Sequence, residues 1–111
     1  MRKLILGLSL STIFLANIFA QDSQNGEALF EEKGCTVCHK LDMDTVGPSI
    51  KNIAYVYAGK EMNMLTYLKG QGTPIVDPAR APVMNPQLIK LRTMFEEDLH
   101  AISTYILNSN R

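Results

Sequence analysis

Cys35-Thr36-Val37-Cys38-His39 constrains this chain more than any other stretch. Two cysteines separated by two residues and followed at once by histidine form an attachment sequence for c-type haem. Each thiol can add across one porphyrin vinyl group, giving two thioether bonds. The next residue then sits under the ring, where the His39 imidazole can ligate the iron. Cys35 and Cys38 are therefore the candidate covalent anchors and His39 the candidate proximal ligand. A disulfide between the two cysteines would close a very small loop, constrain little, and leave His39 unexplained. Zinc wants four ligands, and Cys35, Cys38, His39 and the distant His100 make a poor set.

The N-terminus points to export. Met1-Arg2-Lys3 is basic, Leu4 to Phe19 is largely apolar, Ala20 is small, and Gln21-Asp22-Ser23 turns polar. That is the layout of a secretory signal peptide. The apolar run is interrupted by Gly7, Ser9, Ser11, Thr12 and Asn17, and it falls short of the roughly 20 apolar residues of a spanning helix. The expected organisation is a signal peptide, residues 1–20, cleaved near Ala20 rather than kept as an anchor, and one domain, residues 21–111. A domain of that length has a marginal core, and a buried porphyrin would supply missing apolar volume. The chain carries 11 basic and 11 acidic residues. Loss of Arg2 and Lys3 with the leader turns the remainder slightly acidic, which argues against nucleic-acid binding.

The domain reads as helices and loops. A first helix is expected over Asn25 to Lys33, capped by Ser23 or Asn25 and ended by Gly34. Residues 40–47 read as a loop closed by Gly47-Pro48. A second helix is expected to start at Pro48, with Ile50, Ile53, Ala54 and Tyr57 in helical period up to Gly59. A third spans Lys60 to Lys69, burying Met64, Leu65 and Leu68. Residues 70–87 contain Pro74, Pro78, Pro82 and Pro86 and read as a long irregular stretch, with a shorter helical piece near Leu88 to Met94. The last helix is expected over Phe95 to Leu107. Its first turn carries Glu96, Glu97 and Asp98, favoured by the helix dipole. Phe95, Leu99, Ile102 and Ile106 share one face.

A haem iron with one histidine has an open sixth position, and its occupant separates electron transfer from small-molecule chemistry. Met84 is the candidate. Pro82-Val83-Met84-Asn85-Pro86 reads as a loop whose prolines restrict the backbone and lower the entropy lost in aiming a thioether. Met64 and Met94 fall in helical apolar patterns and read as core filler. Met43 and Met62 read as surface, and His100 as a solvated residue on the polar face of its helix.

The chain resembles the class I c-type cytochromes, the small single-haem bacterial kind, over essentially all of residues 21–111. Gly26-Glu27-Ala28-Leu29-Phe30 is similar to that family's N-terminal helix, and Cys35 to His39 to its attachment sequence. Gly47-Pro48 resembles its Gly-Pro turn, whose proline carbonyl accepts a hydrogen bond from the proximal histidine. Met84-Asn85-Pro86-Gln87 resembles its methionine-ligand loop. The helix from Phe95 is similar to its C-terminal helix, which crosses the first helix through small and aromatic side chains, here Gly26, Phe30 and Tyr105.

The resemblance implies an all-α class I cytochrome c fold. N- and C-terminal helices cross, and shorter helices and a Pro-rich Met loop wrap one covalently bound haem c. It implies His39 and Met84 as iron ligands, Pro48 as the carbonyl partner of His39, and aromatic or basic groups at the propionates, for which Tyr57, Lys60, Tyr67 and Arg80 are available. It also implies a monomeric single-electron carrier of the periplasm, without enzyme activity, nucleic acid or stable membrane insertion. Such a carrier meets redox proteins transiently, between a quinol-oxidising cytochrome complex and a terminal oxidase or reductase. Lys33, Lys40 and Lys51 are available to border the exposed haem edge, the alternative being ordinary solvated surface. The alternatives are a haem-bearing enzyme or ligand sensor with a labile sixth position, and a subunit of a larger oxidoreductase.

Overall fold

A computed structural model describes residues 23–110. The expected signal peptide lies outside them. The described residues hold five α-helices and two short 3₁₀ turns, joined by loops, with no strand among them. None of these helices is long and apolar enough to cross a membrane.

Helix α1 covers residues 23–32. Gly34, at φ 79°, stops it, and the 3₁₀ turn Cys35–Val37 follows directly. A left-handed residue there suits glycine, which has no Cβ to strain.

Helix α2 runs Ile50–Tyr57, so it starts after Pro48 rather than at it. The reason is a cap: Ser49 stays extended, and its Oγ accepts the Asn52 N–H at 3.1 Å. In a helix begun at Pro48 that N–H would bond the Pro48 carbonyl. The cap takes the donor and frees the carbonyl. Ser49 N–H in turn donates to Asp44 Oδ1 at 2.7 Å, which fixes the loop before it. Helix α3, Glu61–Leu68, buries Met64, Leu65 and Leu68, as its periodicity predicts.

The stretch expected to be irregular contains a helix. A 3₁₀ turn, Pro78–Arg80, is capped by the Asp77 side chain and leads straight into α4, Ala81–Leu91. Met84 therefore sits within a helix and not in a Pro-rich loop. Pro82 lies in the first turn, where no N–H is needed. Pro86 removes one internal bond, the one to the Pro82 carbonyl, and both prolines are exposed. Leu88 and Leu91 are buried, and Met84 packs against the same core. The spacing 84, 88, 91 is one helix face, and fully burying such a side chain contributes about 1.5–3 kcal/mol. Packing outweighs the proline penalty.

Helix α5, Glu96–Asn108, packs against α2 and α3 and presents Leu99, Ile102, Ser103 and Ile106 to the interior. Phe95 is not on that face. It is the extended cap residue, 74% exposed, because the helix, and with it the buried face, begins only at Glu96. Helix α1 crosses α5 closely: a Cβ on Gly26 would lie 2.0 Å from the Ala101 carbonyl oxygen. Phe30 meets Tyr105 at 5.5 Å between ring centroids, tilted by 56°. This contact joins the first and last described helices over one core of Phe30, Ile50, Tyr57, Met64, Leu99 and Ile102. On the outside, Lys69 bonds Glu96, and His100 Nε2 lies 3.0 Å from Glu61 Oε1.

Candidate functional site

The turn after α1 presents three chemistry-bearing side chains at once. The Cys35 carbonyl accepts from both Cys38 N–H (3.3 Å) and His39 N–H (3.0 Å). One tight coil thus carries Cys35, Cys38 and His39. Both cysteines are free thiols, partly buried. Burial pushes the Cys35 thiol up, and neighbouring Cys38 adds to this, against a hydrogen bond from the backbone. Cys35 also packs on the hydrophobic core.

The His39 ring is held on several sides. Nδ1 lies 2.7 Å from the Pro48 carbonyl oxygen. A carbonyl only accepts, so Nδ1 carries the proton and Nε2 keeps a free lone pair. That is the form in which imidazole binds a metal. Gly47 lies against the ring, and a Cβ there would sit 2.5 Å from Cε1. Phe30 approaches from the core at 6.4 Å between centroids. The loop carrying Gly47 is pinned to the turn: Gly47 N–H and Thr45 Oγ1 donate to the Cys38 carbonyl at 2.8 and 2.9 Å.

Met84 stands on α4, half-buried against the core. It is linked to the His39 side through Arg80, whose Nη1 donates to the carbonyls of Thr45 and Val46 at 2.9 and 2.8 Å. Arg80 also bonds Asp77 and holds that carboxyl below its usual range. Among the candidates for carboxylate groups of a cofactor, Arg80 is thus committed to protein partners. Tyr57 is buried, Tyr67 half-buried and Lys60 exposed. Sequence reasoning missed the Asp77–Arg80–Thr45/Val46 contacts. The only local signal was the i,i+3 spacing of Asp77 and Arg80. Lys33, Lys40 and Lys51 are exposed. Lys40 reaches the Thr36 carbonyl at 2.6 Å and Lys51 pairs with Asp42 at 2.7 Å.

The donor set fits a covalently held porphyrin. Two reduced thiols and an imidazole with one free nitrogen lie on one turn, beside an apolar core. Among the described residues no group of three or more His, Cys, Asp or Glu converges as an ion site.

Residues 23–110 match the sequence profile of the family described as cytochrome c. The chain is 51% identical over 37 residues to a cytochrome c-551 of Azotobacter vinelandii, covering 33% of this chain and 45% of that protein. It is 38% identical over 53 residues to a cytochrome c-551 of Pseudomonas aeruginosa, covering 48% of each. A cytochrome c-552 of Hydrogenobacter thermophilus is 40% identical over 45 residues, covering 40% of this chain and 45% of that protein. The aligned segments thus span about half the length of these relatives or less. The match over 23–110 and the all-helical fold agree: the chain belongs to the cytochrome c family and carries a covalently bound haem c.

Proposed function

We propose that the protein is a periplasmic single-electron carrier with one haem c, held by Cys35 and Cys38 and ligated by His39 and Met84. The observation that carries the reading is the His39–Pro48 contact of 2.7 Å. It orients the ring and, in the neutral imidazole, makes Nδ1 the donor and leaves Nε2 free, on the turn that also carries both thiols. Bound haem supplies a one-electron ferric–ferrous couple.

The protein's own groups set the terms of that couple. Cys35 and Cys38 anchor the porphyrin edge through thioethers, so the group is not lost outside the cell. Pro48 raises the basicity of His39 through the Nδ1 proton. The Met84 thioether is soft and neutral and favours the less charged iron. The apolar core, against which Cys35 and Met84 pack, would keep water away and act in the same direction. A haem held by both His39 and Met84 would leave no open iron position, so the carrier reading requires no substrate site and no general acid or base. The names of the relatives, cytochromes c-551 and c-552, fit this reading. Export by the N-terminal leader places the carrier in the periplasm, as a monomer that meets redox partners transiently. Those partners are a quinol-oxidising cytochrome complex and a terminal oxidase or reductase.

A spectrum tests the ligand set. The ferric protein should show the red charge-transfer band of Met–iron bonding, and Met84→Ala should lose it. A high-spin protein that binds carbon monoxide readily at neutral pH would instead favour a haem enzyme or sensor with a labile sixth position.

A further inference from the structure

Arg80 sits at the entry to α4, four residues before Met84. Its guanidinium makes contacts on two sides. Nε donates to Asp77 Oδ2, and Nη1 donates to the carbonyl oxygens of Thr45 at 2.9 Å and Val46 at 2.8 Å. Asp77 is itself anchored, because its Oδ1 accepts the Arg80 N–H at 3.3 Å and caps the turn before α4. Thr45 and Val46 lead straight into Gly47 and Pro48, the two residues that hold the His39 ring. The same loop is bonded to the Cys38 carbonyl. A continuous series of contacts therefore runs from the helix bearing Met84 to the segment that orients His39.

We propose that Arg80 is a positioning residue that ties the segments bearing His39 and Met84 together, so that its bonds to Thr45 and Val46 strengthen the hold of Met84 on the iron. The proposal rests on the reading of Met84 as sixth ligand. A guanidinium suits this task because its planar, always charged fork serves a carboxylate and two carbonyls from fixed directions. Lysine offers one point charge and cannot reproduce the fork. Arg80 is 40% exposed, so water competes for each bond and the effect is moderate rather than all-or-none.

The test uses the haem-loaded protein. Ferric protein is titrated with imidazole at fixed pH while the Met–iron band is followed. Arg80→Gln should bleach at an imidazole concentration about three- to tenfold lower than the unmutated protein. Arg80→Lys should fall between the two. Lys90→Gln, which removes a positive charge from an exposed site on the same helix, should leave the titration unchanged. Hydrogen exchange gives a readout independent of the band: in Arg80→Gln, amides of 42–49 and of 77–86 should exchange faster together. If Arg80→Gln titrates like Lys90→Gln, or exchange rises in neither segment, the proposal fails and the Met84 reading survives. If the unmutated protein lacks the band, the Met84 reading fails and takes the proposal with it.

Discussion

Gly47 leaves room for the imidazole of His39 and for nothing else: a Cβ at that position would lie 2.5 Å from Cε1 and 2.8 Å from Nδ1. The glycine cannot back away, because its N–H donates to the Cys38 carbonyl at 2.8 Å and its carbonyl accepts from Thr45 N–H at 3.0 Å. In Gly47→Ala either the ring tilts off the Pro48 carbonyl or the loop shifts. Overpacking of this kind costs about 1–3 kcal/mol, measurable as a lower denaturation midpoint of the haem-loaded protein. The His39 Nδ1–H should also exchange faster with solvent. A variant with unchanged stability and unchanged exchange would show that the ring does not rest on Gly47.

Gly26 tests the crossing of the terminal helices. Alanine within a helix is normally favoured over glycine by about 1 kcal/mol. Here the added methyl would meet the Ala101 carbonyl oxygen at 2.0 Å and Tyr105 Cβ at 2.8 Å. Both are close to the backbone of α5 and have little freedom to move. Gly26→Ala should therefore destabilise by about 2–3 kcal/mol in urea. Stabilisation would mean that α1 does not dock on α5 in this way.

These two glycines mark how far the sequence could be read. Cys35, Cys38 and His39 announce themselves because the chemistry is local, with every group on one turn. The burial of Met64, Leu65 and Leu68 is equally legible, since a helix face repeats along the chain. What failed was the weighing of local against distant effects. Four prolines spoke for an irregular stretch, yet Met84, Leu88 and Leu91 found a core to bury against, and the proline in the first turn cost nothing. Phe95 fitted the α5 period but stands outside the helix. Pro48 reads as the first helical residue, two positions before the observed start at Ile50, because the cap that frees its carbonyl depends on the Ser49 side chain. The hold of Arg80 on Thr45 and Val46 joins residues some 35 positions apart, and no spacing rule reaches that far.

Ser103 is an internal cost that the fold tolerates. It is fully buried on α5, and its hydroxyl has no hydrogen-bond partner among the described residues. An unsatisfied buried polar group costs about 1–3 kcal/mol, whereas its removal without leaving a hole is close to neutral or favourable. Alanine keeps the Cβ and suits a helix interior better than serine. Ser103→Ala should raise stability by about 1 kcal/mol, read as a higher urea midpoint with unchanged slope. A loss of stability would reveal a bonded partner for the hydroxyl.

Tyr57 gives the fold a weakness in alkali. It is 3% exposed, and burial, with nearby Tyr67 as a second cause, pushes its phenol up to about 12 from 10.0. The folded state therefore keeps the proton after the unfolded chain has begun to release it. Stability from this group is complete below pH 10. It declines as pH rises from about 10 through 12, because the unfolded state then binds fewer protons. Tyr57→Phe removes the titrating group and keeps the ring. Denaturation midpoints measured at pH 8, 10 and 11.5 should fall more steeply for the unmutated protein than for the variant. The difference at the highest pH should be on the order of 1–2 kcal/mol. Tyr67, also raised by burial, still titrates in the variant, so part of the alkaline loss persists. Parallel curves for the two proteins would show that the Tyr57 phenol ionises as freely folded as unfolded.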